Sequence, residues 1–380
     1  MKGYIFMNFT TKIIFHIDLN AFFATVEAIL DPNLKTKVFA VGGGKSYFRG
    51  GVLLTASYKA RKYGIHSGMS ITEALKIYPK LLIVPPSRGE YKKYSKLFMD
   101  TLNKYNAVVY QASVDEAYMD VTDISKEIHP LKLAQEIQDY LFKVYQLPSS
   151  IGIAPTLFLA KMGSDFKKPM GITVMRKRDV KKKLYPLKVG SMYGIGRKTN
   201  QRLNEINIVT LEDLMNPLNK DKVIEAIGEN AYQSYVDNLT GKSNNVVDPH
   251  KYEIPKSISN ETTLKYDIDR IDLLKEELAN LFDETYLRLS KDEYMCKNAF
   301  IKIRYSNFKT TTKTKSFIEE TDDEELLSQT IEDLFDNYYN AHPVRLLGLG
   351  FGGIIEKKDF KIDRTIFNYK DVDKNTKEKI

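Results

Sequence analysis

Lys12-Ile13-Ile14-Phe15-His16-Ile17-Asp18-Leu19 is the stretch on which the fold turns. β-Branched and aromatic residues crowd into a short run that ends at a carboxylate, the pattern of a largely buried strand. Residues 20–30 then read as a helix, with Phe22, Phe23, Val26 and Ile29 as its apolar positions and Asp31-Pro32 as its stop. A second strand, 38–41, runs into Gly42-Gly43-Gly44, Val52-Leu53-Leu54 reads as a third, and 56–63 and 70–78 read as helices. Short elements and much glycine mark this region as a small subdomain. From about residue 88 the elements lengthen: helix 90–105, strands 107–112 and 117–121, helix 130–145, strand 149–153 and helix 155–166. The alternation that began at Ile13 thus resumes after an interruption, which predicts an α/β (α+β) domain carrying an insertion.

Farther along, residues 176–243 read as wholly helical and lysine-rich, and 244–255 have linker character. Strands 300–305, 310–317 and 345–351 with helices 270–289 and 323–340 predict a second α/β unit, and 357–380 a loose charged tail. The 380 residues suffice for several domains, and 43% hydrophobic with 28% charged residues argues against disorder as the main state. The single cysteine, Cys296, can make no internal disulfide and no cysteine-based zinc site, which suits a reducing compartment such as the cytoplasm. No apolar run nears the roughly 18–20 residues that cross a bilayer, so no membrane partner is expected. The first residues, Met1 to Phe6, are too soon interrupted by polar residues to act as a signal peptide. A net charge of +8 weakly favours a polyanionic partner.

Three carboxylates stand out. Asp18 closes an apolar strand, where an ionised acid costs on the order of several kcal/mol unless paired or metal-bound. Asp115-Glu116 sits between two apolar strands, and adjacent side chains on a regular strand face opposite ways, so both reach one metal only at a bend. By themselves these are equally an N-cap and a solvated hairpin. Together, at strand ends of one domain, they suit two divalent cations about 3.5–4 Å apart for phosphoryl transfer, and Mg²⁺ is the cation that keeps phosphate oxygens in its shell. Thr55-Ala56-Ser57-Tyr58-Lys59-Ala60-Arg61 supplies a cationic clamp: on a helix 56–63, Tyr58 and Arg61 share a face, Thr55 lies at the helix start, and Arg61 offers a planar fork to phosphate.

At this point the chain resembles the Y-family (translesion) DNA polymerases, most of all the bacterial DNA polymerase IV branch. The residues that carry the resemblance are Ile17 to Glu27, Thr55 to Ile65, Ser113-Val114-Asp115-Glu116-Ala117-Tyr118, Gly152 to Lys161, Lys167-Lys168-Pro169-Met170-Gly171 and Gly194-Ile195-Gly196. They keep family order and spacing from about residue 12 to 243; the rest matches in layout. The resemblance implies a right hand: palm 12–29 and 88–175, fingers 30–87, helical thumb 176–243 with a helix-hairpin-helix, linker 244–255, little finger 256–356 and tail 357–380. It implies Asp18, Asp115 and Glu116 as ligands of two Mg²⁺, with Leu19 giving a backbone carbonyl. Phe22, Phe23, Thr55, Tyr58, Arg61 and Lys168 would hold the incoming deoxynucleoside triphosphate, and Phe23 would be the steric gate against a 2′-hydroxyl. Lys161 matches a nearby basic position. Three departures are Leu53-Leu54, bulkier than the small residues over the nascent pair, Met170 in place of Asn, and Ala21 in place of an aromatic residue.

The implied activity is that of a DNA-directed DNA polymerase working on a primer-template at low fidelity, without proofreading, as a monomer. A non-catalytic DNA-binding or clamp-recruited scaffold is the rival, and a template-restricted nucleotidyltransferase a second. Gly194-Ile195-Gly196-Arg197-Lys198 would meet DNA phosphates, with Leu203, Ile206, Ile208 and Leu211 as the apolar sequel. Residues 176–243 hold 13 basic and 8 acidic residues; 256–358 hold 15 and 20. In the latter, Lys297, Lys302, Arg304, Lys309, Lys313 and Lys315 form a stretch without acids, which predicts a basic sheet face on the duplex and acidic helices outward. Arg364 to Tyr369 is a poor match to the segment by which relatives' tails dock an apolar pair on the sliding clamp, so both a clamp contact there and a tail without that role stay open.

Overall fold

The computed structural model describes residues 11–43, 51–251 and 253–360, so the tail segment 364–369 lies outside them. The chain divides into two compact units at His250. In the first, β1 (Ile14–Leu19) is the middle strand of a five-stranded sheet. Its order is β5 (Val108–Gln111), β6 (Glu116–Asp120), β1, β7 (Ser149–Ala154), β8 (Ile172–Val174), antiparallel except for β7 with β8. Every residue of β1 is buried, His16 and Asp18 included, so the strand is covered on both faces. A smaller sheet joins β2 (Phe39–Gly42) to β3 (Leu53–Ala56) and β4 (Leu82–Val84). The helices are α1 (Phe22–Leu30), α2 (Tyr58–Arg61), α3 (Ile71–Ile77), α4 (Arg88–Leu102), α5 (Pro130–Tyr145) and α6 (Leu157–Phe166). Five more follow: α7 (Val180–Lys183), α8 (Arg197–Glu205), α9 (Leu211–Met215), α10 (Lys220–Ile227) and α11 (Glu229–Thr240).

Helix α6 lies directly on the β7 backbone. A Cβ at Gly152 would stand 1.9 Å from the carbonyl oxygen of Ala160 and 2.5 Å from the amide of Ser164, and Gly163 approaches the Gly152 Cα from the helix side. Thr156 caps the helix by accepting from the Leu159 amide. The cap and the glycine seat set the rotation of α6, which turns buried Lys161 toward the end of β1. The loop after α6 is held by Asn20, itself buried: its Nδ2 donates to the Ser150 hydroxyl at 3.0 Å and its Oδ1 accepts from the Met170 amide at 2.8 Å. Met170 takes a positive φ of 60°, a conformation that suits Asn better than Met, so this departure bears on the turn alone.

The second unit is a four-stranded antiparallel sheet, β11 (Thr310–Thr321), β10 (Tyr294–Tyr305), β12 (Val344–Gly352), β9 (Ser257–Ile268), with β13 (Ile355–Glu356) on the end of β10. Helices α12 (Ile271–Lys291) and α13 (Glu324–Tyr338) cover one face, packing on Ala299, Ile301, Ile303 and Tyr305. Strand β9 escapes sequence reading because only Ile258 and Leu264 of its twelve residues are buried. β4 and β8 are three residues each, too short to show a period. The helix expected over 56–63 is a single turn, Tyr58–Arg61, because Leu53–Ala56 pairs with β2; Thr55 therefore sits in a strand and not at a helix start.

Gly152→Ala is expected to destabilise the first unit by about 1–3 kcal/mol, the scale of overpacking against backbone that cannot move aside. A lowered thermal midpoint checks it; an unchanged one would mean that α6 can shift.

Candidate active site

Antiparallel register puts Asp18 of β1 opposite Glu116 of β6, and the Leu19 amide donates to the Asp115 carbonyl at 2.9 Å. All three acids thus reach one end of the sheet, Asp115 and Glu116 at the bend where β6 begins. Their side chains are not yet one cluster. The Asp115 carboxylate accepts from the Ser113 hydroxyl at 2.6 Å, and among the described residues no three acidic, imidazole or thiol groups are gathered tightly enough to ligate a metal. Asp18 and Glu116 instead hold ammonium groups. Lys161 Nζ lies 3.1 Å from Asp18 Oδ2 and 2.7 Å from Glu116 Oε1, and Lys168 Nζ lies 2.6 Å from Asp18 Oδ2. Asp165 holds both lysines, at 3.3 Å and 2.8 Å.

Burial sets the electrostatics. Loss of water and the neighbouring Glu116 push Asp18 up to about 7, against the pull of the two lysines. Burial would raise Glu116 as well, but His16, Asp18 and Lys161 outweigh it and hold Glu116 low. Asp115 is raised by burial, with the Ser113 hydroxyl opposing. Two acids opposed across a strand pair resist ionising together, with Lys161 and Lys168 as the cations set against them, and an added cation would favour the charged form of Asp18. The donors are hard oxygens, the set that Mg²⁺ takes. His16 was read only as part of the strand, yet its Nδ1 pairs with the Ser164 hydroxyl at 2.8 Å and its Nε2 faces Glu116 at 3.5 Å; burial lowers the imidazole. A polar residue between Phe15 and Ile17 was the available signal. Asp165 lies one turn after Lys161 and three before Lys168, a spacing that could have marked it.

The clamp residues come together around Arg61. Its Nε donates to the Ala56 carbonyl at 3.0 Å, its Nη2 to the Thr55 hydroxyl at 3.3 Å, and its guanidinium lies 5.3 Å from the centre of the Tyr58 ring. Burial raises the Tyr58 hydroxyl, while Arg61 and Lys168 pull it down. The Phe22 side chain, in contrast, is buried in the core and only 2% exposed, so its ring is not free to meet a nucleotide. Phe23, one residue on, is half-buried and borders a cavity of about 780 Å³ that Leu54, Tyr91, Met99 and Val114 also line. Of the two leucines, Leu53 packs inward and only Leu54 stands on that cavity.

Gly194, with φ of 95°, and Gly196, the residue before α8, both face open space where a Cβ would go, while Ile195, Leu203, Ile208 and Leu211 anchor the turn in the core and Ile206 packs beside them. Arg197 and Lys198 form the first turn of α8. In the second unit the expected basic face divides. Lys302 and Arg304 lie on the open side of β10, but Lys313 and Lys315 pair with Ile301 and Ala299 and therefore point to the helix side, where they meet Tyr338 and Asp333. Lys302 is itself paired with Glu261, Lys297 caps the Ile318 carbonyl, and Lys309 sits in the hairpin. Glycines 348, 350 and 352 underlie this open face, with Phe300 against Gly350 and Asn298 against Gly352.

A model of the impB/mucB/samB family matches residues 17–165, its C-terminal domain 255–363, and the IMS family HHH motif 177–208. The chain is similar to DNA polymerase IV of Oceanobacillus iheyensis, with 37% identity over 97% of this chain and 87% of that one. It is equally similar to DNA polymerase IV 1 of Bacillus subtilis, 37% identical over 94% and 86%. Among solved structures it resembles a Y-family DNA polymerase chimera, with a TM-score of 0.78, 27% identity, and 91% and 100% of the two chains covered. The insertion ternary complex of Dbh DNA polymerase has a TM-score of 0.65 at 26% identity, with 91% and 100% covered.

Proposed function

The chain belongs to the impB/mucB/samB family and is a translesion, DNA-directed DNA polymerase of the Y-family, and from that premise we propose that Asp18, Asp115, Glu116 and the Leu19 carbonyl hold two Mg²⁺ ions at the end of β1. The observation that carries this is geometric: Asp18 stands opposite Glu116 at the sheet end where Asp115 also lies, with two lysines held there as counter-charge. Bound there, the ions would acidify the primer 3′-hydroxyl and neutralise the departing pyrophosphate. Asp115, bonded here to the Ser113 hydroxyl, would be the third carboxylate to hold them. Lys168 gives up Asp18 to meet the triphosphate, and Arg61, pre-set by Ala56 and Thr55 and stacked on Tyr58, supplies the planar fork. Phe23 lies beneath the sugar and leaves no room for a 2′-hydroxyl.

The same reading assigns palm to 12–29 and 88–175, fingers to 30–87, thumb to 176–243, linker to 244–255 and little finger to 256–356. Primer-template DNA and deoxynucleoside triphosphates are the partners, the chain acting as a monomer in the cytoplasm. DNA phosphates meet the amides around Gly194 and Gly196, the side chains of Arg197 and Lys198, and Lys302 and Arg304 on the open sheet. No described helix is long and apolar enough to cross a membrane. An inert scaffold of this fold would have no use for the intact acid trio. Primer extension with each nucleotide on four templates separates a templated polymerase from a transferase that inserts one base.

Asp115→Ala is expected to abolish Mg²⁺-dependent nucleotide incorporation while primer-template binding, read by fluorescence anisotropy, stays. Retained incorporation would remove Asp115 from the metal site. Phe23→Ala is expected to admit ribonucleotides, read as a fall in the kcat/KM ratio of deoxy- over ribonucleotide; an unmoved ratio would place the gate elsewhere.

A further inference from the structure

Glu27 is 5% exposed, and no lysine or arginine pairs with it among the described ion pairs. Its carboxylate is satisfied instead by three donors. The Ser87 amide reaches Oε1 at 2.8 Å, the Ser87 hydroxyl reaches Oε2 at 3.1 Å, and the Tyr91 hydroxyl donates to Oε1. Ser87 precedes α4, so the acid sits at a helix N-terminus, where the peptide dipoles favour negative charge. The Tyr91 hydroxyl also accepts from the Ser87 amide at 3.1 Å, which leaves its rotor one orientation. Burial together with Glu27 raises that hydroxyl well above the usual tyrosine range, so it remains a donor.

Glu27 lies four residues after Phe23 on α1, on the same side of the helix. The Tyr91 ring bridges the two: its centroid is 4.5 Å from that of Phe23, tilted 38°, and its far end is held by Glu27. Helix, Phe23, Tyr91 and Glu27 therefore close a ring of contacts in which the only charged member bonds Ser87 and Tyr91. We propose that Glu27 is a positioning residue for sugar discrimination, fixing the Phe23 ring through Tyr91. This rests on the reading of Phe23 as the gate. A buried carboxylate costs solvation energy, and the groups that satisfy this one are Ser87 and the hydroxyl of Tyr91, the ring against Phe23.

The test compares kcat/KM for deoxy- and ribonucleotides in the full chain. Glu27→Gln and Tyr91→Phe are each expected to lower the deoxy-over-ribo ratio about tenfold, the scale of one hydrogen bond to a charged group. The double variant should fall no further than either single one, since both break one link. A merely structural role would depress both nucleotides in proportion and leave the ratio at its wild-type value, and that result overturns the proposal. Tyr91→Phe removes a hydroxyl and no ring volume, so it carries the test if Glu27→Gln melts early. Phe23→Ala run alongside separates the two failures: an unmoved ratio there sinks the gate, whereas a collapsed ratio there with unmoved Glu27→Gln and Tyr91→Phe sinks only the part given to Glu27.

Discussion

The opposition of Asp18 and Glu116 across the β1–β6 pair is the constraint from which the first unit is built. Register fixes it: one residue of slip would send Asp18 to the other face of the sheet and dissolve the site. The register is in turn pinned on both sides of β1, by β6 and by β7, and the strand's own side chains are buried throughout. Two facing acids in such a place are unfavourable unless positive charge is near, and α6 with its following loop delivers it as Lys161 and Lys168. The lysines therefore serve as counter-charge to the two acids.

Much of this was legible in the letters, because the chemistry sits where the sequence is least ordinary. An acid closing an apolar strand, an acid pair at a strand junction and an arginine three residues after a tyrosine are all local patterns; the register sets Asp18 opposite Glu116 and Arg61 lies against Tyr58, while the Asp115 carboxylate stays on Ser113. What was not legible depends on depth and register. Phe22 and Phe23 are indistinguishable by type, yet one is core and the other half-exposed, because they point to different sides of α1. Lysines spaced along β11 look like one basic face until strand alternation sends Lys313 and Lys315 to the helix side. Glu27 lies 60 positions before Ser87 and 64 before Tyr91, and no local pattern joins it to them.

The second unit treats its two sheet faces differently. One is packed with aliphatic and aromatic side chains beneath two helices; the other is low, with glycine at alternate positions of β12 and the side chains of β10 lying across them. Cβ atoms at Gly350 and Gly352 would run into Phe300, Ser259 or Asn298, so the glycines are there for their neighbours' sake. That arrangement lets Lys302 reach across Gly348 to Glu261, leaving an ion pair whose cation phosphate oxygens can compete for.

The glycine seat of α6 has a mechanical consequence. Where helix and strand touch backbone to backbone there is no side chain to act as a bearing, so neither can glide over the other without a clash. Lys161, Asp165 and the end of β1 must then travel as one block. A shift of α6 alone would break this contact before it moved Lys161. The contact is a weld, and it fixes where the counter-charge of Asp18 stands.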